Sequence, residues 1–100
     1  ADSNPYLAIA ALLAGIHMGI EHKLSAPTPI SGNAWLEDDE TPPLPSHMGT
    51  AISQFSTSQA VRDYLSEPFQ MAFTAVKTQE LVEFETRVTD FELETYLASP

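Results

Sequence analysis

Cysteine is absent from this sequence, and basic residues are scarce. Without cysteine, the chain can form neither a disulfide framework nor a thiolate metal site, and it has no catalytic thiol. Four lysines and arginines stand against fourteen aspartates and glutamates, which gives a formal net charge of −10. A charge of this sign repels phosphate backbones and anionic membrane surfaces. The composition therefore argues against nucleic-acid binding, and we expect a cytoplasmic protein.

The longest apolar run is too short to cross a membrane. It extends from Tyr6 to Ile20 with His17 as its single polar side chain, whereas a spanning helix needs about 20 apolar residues. No basic segment precedes it, so we expect no secretory signal and no membrane partner. Asn4-Pro5 is typical of an N-cap followed by proline at the first helical position. We predict a helix over about 5–23 that is apolar nearly all round and therefore lies inside a larger structure.

The stretch after this helix predicts a long loop over 25–45. It contains five prolines, one glycine and the acidic run 37–40, a composition that disfavours both helix and strand. Trp35 is expected to hold the loop against a surface through its large apolar ring. Loops of this length are often functional or solvated, and both interpretations stay open.

Helical signals return beyond the loop and predict four more helices, at about 46–56, 58–65, 67–87 and 89–97. Ser46 and Ser66 are the candidate caps of the first and third, and Thr89 to Glu92 matches a capping box. The helix 67–87 is predicted to lay one apolar side on a core, formed by Phe69, Phe73, Val76, Leu81, Phe84 and Val88. No segment shows a convincing strand pattern. The predicted fold class is therefore all-α.

Candidate ligand-binding residues are few. His17 and Glu21 stand four apart on one helical face, as two metal ligands would, but without a third ligand we prefer a hydrogen-bonded core histidine. The acidic run 37–40 lacks the spaced ligands and turn glycine of a calcium loop and is interpreted as solvated. His22, near the C-terminus of its helix, is assigned a capping role, and His47 a surface position.

Small residues form a stripe on the first predicted helix, at Ala11, Gly15 and Gly19. In a membrane such a stripe would favour helix dimerisation, but in this short helix it more simply allows close approach of a neighbouring element. The sequence shows no phosphate-binding glycine loop, nucleophile elbow or pair of catalytic carboxylates. We therefore predict no catalytic, cofactor-binding or metal-binding residue in the chain.

Several segments resemble the glutamine synthetase family. The residues from Ala1 to Ala11 are similar to the Asn-Pro-Tyr-Leu helix start near the end of its catalytic domain. The family's closing helices are matched in order and spacing by Leu44-Pro45-Ser46, Tyr64 to Phe69, Lys77, Glu80-Leu81 and Phe84-Glu85. This closing part looks most like the γ-glutamylpolyamine synthetase branch. By resemblance, 1–100 is the helical C-terminal part of an α+β catalytic domain.

The resemblance implies a parent ligase that uses ATP and Mg or Mn to phosphorylate the γ-carboxylate of glutamate. Ammonia then displaces the phosphate, or a polyamine does so in the alternative branch. In the family the catalytic, metal and nucleotide residues lie upstream, so none is carried over here, and the chain alone is expected to be inactive. Its expected partners are the rest of the catalytic domain and further copies in a homo-oligomer of stacked rings.

The regulatory tyrosine that some bacterial members carry before the closing helices has no counterpart in 32–36, so control by adenylylation is expected to be absent.

A free-standing helical interaction module, without an enzymatic parent, is the remaining alternative. The apolar first helix disfavours that alternative, because an independent module would need a polar face there.

Overall fold

The computed structural model describes residues 3–33 and 42–97 and places five α-helices in them. The helices are α1 (Pro5–Glu21), α2 (Met48–Thr57), α3 (Gln59–Leu65), α4 (Glu67–Glu85) and α5 (Asp90–Leu97). These described residues contain no strand, so the all-α prediction is confirmed. The chain divides into two compact units, Ala1–Leu44 and Pro45–Pro100.

The first unit is built on α1, whose start follows from its sequence. The Asn4 side chain accepts hydrogen bonds from the backbone N–H groups of Tyr6 and Leu7, at 3.0 and 3.3 Å. Pro5 occupies the first helical position, where its missing N–H leaves no bond unmade. The predicted N-cap is therefore confirmed.

The end of α1 is set by a left-handed residue. Lys23 has φ of 51°, and the Leu24 and Lys23 N–H groups donate to the carbonyls of Gly19 and Ile20, at 3.0 and 3.1 Å. These two bonds make a Schellman motif, which reverses the chain and closes the helix. The helix consequently ends at Glu21, slightly before the predicted limit of about 23.

No residue of α1 is buried within its unit. Six large apolar side chains on one side of the helix are exposed, with exposed fractions from 52% to 83%: Tyr6, Ile9, Leu12, Leu13, Ile16 and Ile20. The residues on the opposite side are half-buried: Leu7, Ala10, Ala14 and Met18. None of the described helices is long and apolar enough to span a membrane. The described residues of its own unit therefore leave the exposed side of this helix uncovered.

The second unit packs α4 against α2 and α3. Three phenylalanines form its centre: the ring centroids of Phe55 and Phe73 lie 5.1 Å apart, and those of Phe69 and Phe73 lie 5.6 Å apart. Gly49 of α2 lies close to α4: a Cβ there would meet the Leu81 side chain at 3.7 Å, an ordinary van der Waals distance. The apolar side predicted for helix 67–87, which is α4 in the structure, is only partly correct. Phe69, Phe73 and Leu81 are half-buried, whereas the remaining members are exposed or lie beyond the helix end: Val76, Phe84 and Val88.

Two of the predicted serine caps are wrong. The helix α2 begins at Met48, after His47 in the N-cap position, and makes no side-chain cap bond there. Ser66 does occupy the N-cap position of α4, but its side chain makes no cap bond and its φ is 77°. An ordinary N-cap residue has extended backbone angles that aim its side chain at the first turn, and Ser66 does not have them.

The capping box of α5 is confirmed. The backbone N–H of Thr89 donates to the Glu92 carboxylate at 2.8 Å, and the Glu92 N–H donates to the Thr89 hydroxyl at 3.3 Å. The described parts of the predicted loop, 25–33 and 42–45, contain neither helix nor strand. Trp35 and the acidic run 37–40 lie outside the described residues.

Candidate functional site

The histidines do not form a metal site in the described part of the chain. His17 is exposed on α1 within its unit, so its assignment as a hydrogen-bonded core histidine of a larger structure stays a prediction. Within 3–33 and 42–97, no three histidine, aspartate or glutamate side chains are grouped as a metal ion requires. His22 is the C-cap of α1, where its backbone N–H donates to the carbonyls at 18 and 20, and His47 is exposed. The absence of catalytic residues stays a prediction.

Gln70 forms the most developed polar site in the second unit. Its side-chain nitrogen donates to the carbonyl oxygens of Phe55 and Ser58, at 2.7 and 2.9 Å. Its side-chain oxygen accepts from Nε of Arg62 at 3.3 Å. Only 2% of Gln70 is exposed, and it is the single buried residue among those described. One amide from α4 thus bridges the break between α2 and α3.

This buried glutamine was missed at the level of sequence, although its spacing carries a signal. Gln70 shares one face of α4 with Phe73, Thr74, Lys77 and Leu81, which follow it by three, four, seven and eleven residues, and all four are half-buried. Residues at these spacings lie on one side of a helix. The site was missed because glutamine is usually exposed and because its acceptors are backbone carbonyls, which leave no mark in a sequence.

An open groove of about 280 Å³ lies beside this glutamine. Its walls include polar and charged side chains from all three packed helices, together with the exposed Met71: Ser56, Arg62, Glu67, Gln70 and Thr74. The groove opens to solvent in this unit, and a ligand there would meet one guanidinium, of Arg62, and one carboxylate, of Glu67.

One carboxyl group in the described chain has a shifted pKa. The hydrogen bond from the Thr89 backbone, followed by that from the Thr89 hydroxyl, lowers the pKa of Glu92 below its ordinary value. Both bonds favour the charged carboxylate, as expected for a group that accepts two donors. They belong to the capping box of α5, so the shift has a structural cause.

The comparison with protein families decides the ancestry of these helices. The family described as "Glutamine synthetase, catalytic domain" matches residues 1–96. The chain belongs to the glutamine synthetase family. The resemblance of its helix starts and closing helices to the C-terminal part of that catalytic domain is therefore confirmed.

Curated relatives of the chain are named for glutamine, for a γ-glutamyl amide or for the joining of glutamate to an amine. The chain is 36% identical to γ-glutamylputrescine synthetase of Escherichia coli K12 and 37% identical to a glutamate–isopropylamine ligase of a Pseudomonas species, over 97% of the chain in both cases. It is 30% identical to glutamine synthetase of Methanocaldococcus jannaschii over 94% of the chain.

The chain spans only about a fifth of the length of these relatives, namely 20%, 21% and 22%. In contrast, each of these matches covers nearly the whole of the chain. No solved structure matches the chain. Family membership is thus shown for the segment, while the activity of a whole protein that contains it is a matter for proposal.

Proposed function

We propose that this chain is the structural C-terminal segment of a ligase that joins glutamate to ammonia or another amine, and that it is inactive alone. Membership of the glutamine synthetase family over residues 1–96 supports the proposal. The relatives named above support the substrate class, since each name specifies glutamine synthesis, a γ-glutamyl amide or the joining of glutamate to an amine. In the proposed reaction, ATP phosphorylates the γ-carboxylate of glutamate, and the amine then displaces phosphate.

The metal and phosphate chemistry of this reaction is assigned to other parts of the protein. Such chemistry uses several carboxylates to hold divalent cations, and arginines to clamp the phosphoryl group. The described residues provide no cluster that fits a metal ion. Two of the cations, Lys77 and Arg87, are engaged by Glu80 and Glu83. We therefore derive no catalytic step from this segment.

The exposed surface of α1 is the observation that carries the structural role. Five of its apolar side chains, Ile9, Leu12, Leu13, Ile16 and Ile20, are each more than half exposed. Covering them would stabilise the protein by on the order of 5 kcal/mol, because a fully buried side chain of this size contributes about 1.5–3 kcal/mol. Open space at Gly15 and Gly19 lets a neighbour approach the backbone closely. We propose that the rest of the catalytic domain covers this helix.

A single substitution, made in two contexts, tests this structural role. Measured at a concentration at which the isolated chain is monomeric, Leu12→Asp should change its stability little, because Leu12 is 64% exposed there. In the full-length protein the same change should cost more than about 3 kcal/mol, because it would bury an unpaired carboxylate. Gln54→Asp, at an exposed position of α2, is the control and should be tolerated in both contexts. Equal tolerance of Leu12→Asp in the two proteins would contradict the proposal.

The isolated chain also tests the alternative of a free-standing interaction module. With α1 uncovered, the chain should self-associate or bind a hydrophobic dye strongly, since exposed apolar patches drive association. Incubated with ATP, magnesium, glutamate and ammonia, it should release no phosphate above a buffer control. A monodisperse monomer that binds no dye would favour the independent module, and phosphate release that survives repurification would refute the inactive segment.

The acceptor amine is proposed from the family and its relatives. Ammonia is our first choice, and a polyamine is the alternative, favoured by the identity with γ-glutamylputrescine synthetase. The full-length protein should be given ATP and glutamate with ammonia, putrescine, spermidine or ethanolamine in parallel, and kcat/KM compared for each. A preference of about 100-fold for an organic amine, or about 2.7 kcal/mol in transition-state free energy, would exclude glutamine synthesis as the main activity.

The assembly of the full-length protein is proposed on the same basis. We expect a homo-oligomer in the cytoplasm, as the resemblance to the glutamine synthetase family implies. Light scattering of the full-length protein would measure its mass directly. A monomer at working concentration would contradict the proposed assembly and would leave the assignment to the family unaffected.

A further inference from the structure

One of the three ion pairs in the described chain differs from the other two. Lys77 Nζ lies 2.6 Å from the Glu80 carboxylate, and Arg87 bonds the Glu83 carboxylate directly. In contrast, Nη1 of Arg62 stands 3.9 Å from the nearest oxygen of Glu67. This distance is too long for a hydrogen bond. The two opposite charges therefore border one groove without a hydrogen bond between them.

The gap between these charges has a structural cause. Nε of Arg62 donates to the buried Gln70 side chain at 3.3 Å, which restrains the guanidinium from the α4 side. The side chains of Arg62 and Glu67 remain 42% and 61% exposed. A guanidinium that is held at Nε keeps its two terminal nitrogens for a carboxylate, which it binds best with two parallel bonds.

The groove is also bordered by Thr74 and by an apolar side chain. The Thr74 hydroxyl oxygen is itself buried, so it offers no donor to a ligand; it is the one buried side-chain polar atom in the described residues without a hydrogen-bond partner. Met71, 68% exposed, forms an apolar wall. At about 280 Å³, the groove lies near the lower end of the roughly 300–1,000 Å³ that is usual for small-molecule sites. It is therefore sized for a small ligand.

We propose that this groove binds a free amino acid as its zwitterion. The ligand's carboxylate pairs with Arg62, its ammonium pairs with the Glu67 carboxylate, and its apolar side chain lies along Met71. Such a ligand pairs with both charges at once, and its entry breaks no hydrogen bond between Arg62 and Glu67. This site goes beyond the proposed function, because it concerns a ligand held by α3 and α4 and uses no residue of the ligase reaction.

Calorimetric titration of the full-length protein with L-leucine, in the absence of ATP, tests the site. Two matched compounds separate the charges: 4-methylpentanoate keeps the carboxylate, and 3-methylbutylamine keeps the ammonium. L-leucine should bind at least about tenfold more tightly than either compound. No binding of L-leucine at millimolar concentration, or equal binding of 4-methylpentanoate, would overturn the proposal.

Variants then locate the binding. Arg62→Gln and Glu67→Gln should each weaken L-leucine binding at least about tenfold. Arg87→Gln also removes one positive charge, but from the exposed ion pair with Glu83, and it should leave binding unchanged. If Arg62→Gln fails to fold, Glu67→Gln decides alone, since Glu67 makes no hydrogen bond that holds the helices together. Binding that survives Glu67→Gln, or that falls equally in Arg87→Gln, would refute the groove as the site.

Discussion

The clearest structural prediction concerns replacement of Gln70 by leucine. Leucine has a similar volume, so the packing of α4 against α2 and α3 should be largely retained. The change removes two hydrogen bonds to the carbonyls of Phe55 and Ser58 and one from Arg62. A loss of stability would therefore report on the polar network and not on a cavity.

The expected magnitude follows from the number of bonds and from what remains at each carbonyl. Three bonds at a net 0.5–1.5 kcal/mol each give at most about 4.5 kcal/mol. Both carbonyls keep a backbone donor at 3.3 Å, from the N–H of Ser58 and of Arg62 respectively. Neither is left without a partner, so the full desolvation cost does not apply. We expect Gln70→Leu to cost about 2–3 kcal/mol.

Chemical denaturation followed by helical circular dichroism measures this loss. Gln79→Leu is the matched control, because Gln79 is on the same helix and is exposed, and it should change stability by less than about 0.5 kcal/mol. Gln70→Glu should cost more than Gln70→Leu, because it sets a carboxylate oxygen against two carbonyl oxygens. Equal midpoints for Gln70→Leu and Gln79→Leu would refute the role of the network.

Three further predictions concern helix ends. Asn4→Ala should destabilise α1 by about 1 kcal/mol through loss of its cap, and Asn4→Ser should restore most of the loss in the same denaturation assay. Ser66→Gly should raise the free energy of unfolding by about 1 kcal/mol, and with it the unfolding temperature, because φ of 77° with ψ of 150° suits glycine alone. An unchanged unfolding temperature would show that the backbone at Ser66 is unstrained. Because the pKa of Glu92 is lowered in the folded state, its contribution is fully present above the unfolded pKa and is lost as pH falls through the folded pKa. Helicity of α5 should fall over that acidic range, and Thr89→Ala should reduce the effect while Glu94→Gln should not.

The sequence alone determined the helices that are marked by local chemistry. Asn4 before Pro5 and the pair Thr89 and Glu92 specify helix starts through bonds between neighbours in the chain, and both formed as predicted. Such bonds depend on three or four consecutive residues. Ser46 failed as a cap because α2 begins only at Met48, after His47. Ser66 failed because a serine caps a helix through its side chain only where its own backbone is extended, whereas its φ is 77°.

Features that join distant parts of the chain were decided only by the tertiary structure. Gln70 acquires its role from carbonyls twelve and fifteen residues earlier. The Arg62 guanidinium, 3.9 Å from Glu67, also donates from Nε to the Gln70 side chain. No local pattern records either arrangement, because a backbone carbonyl is the same at every residue. The sequence did determine that α1 is apolar on every side and that the chain resembles the glutamine synthetase family. Only the structure showed that α1 is left exposed within its own unit, because burial is a property of what packs around a helix and not of the helix itself.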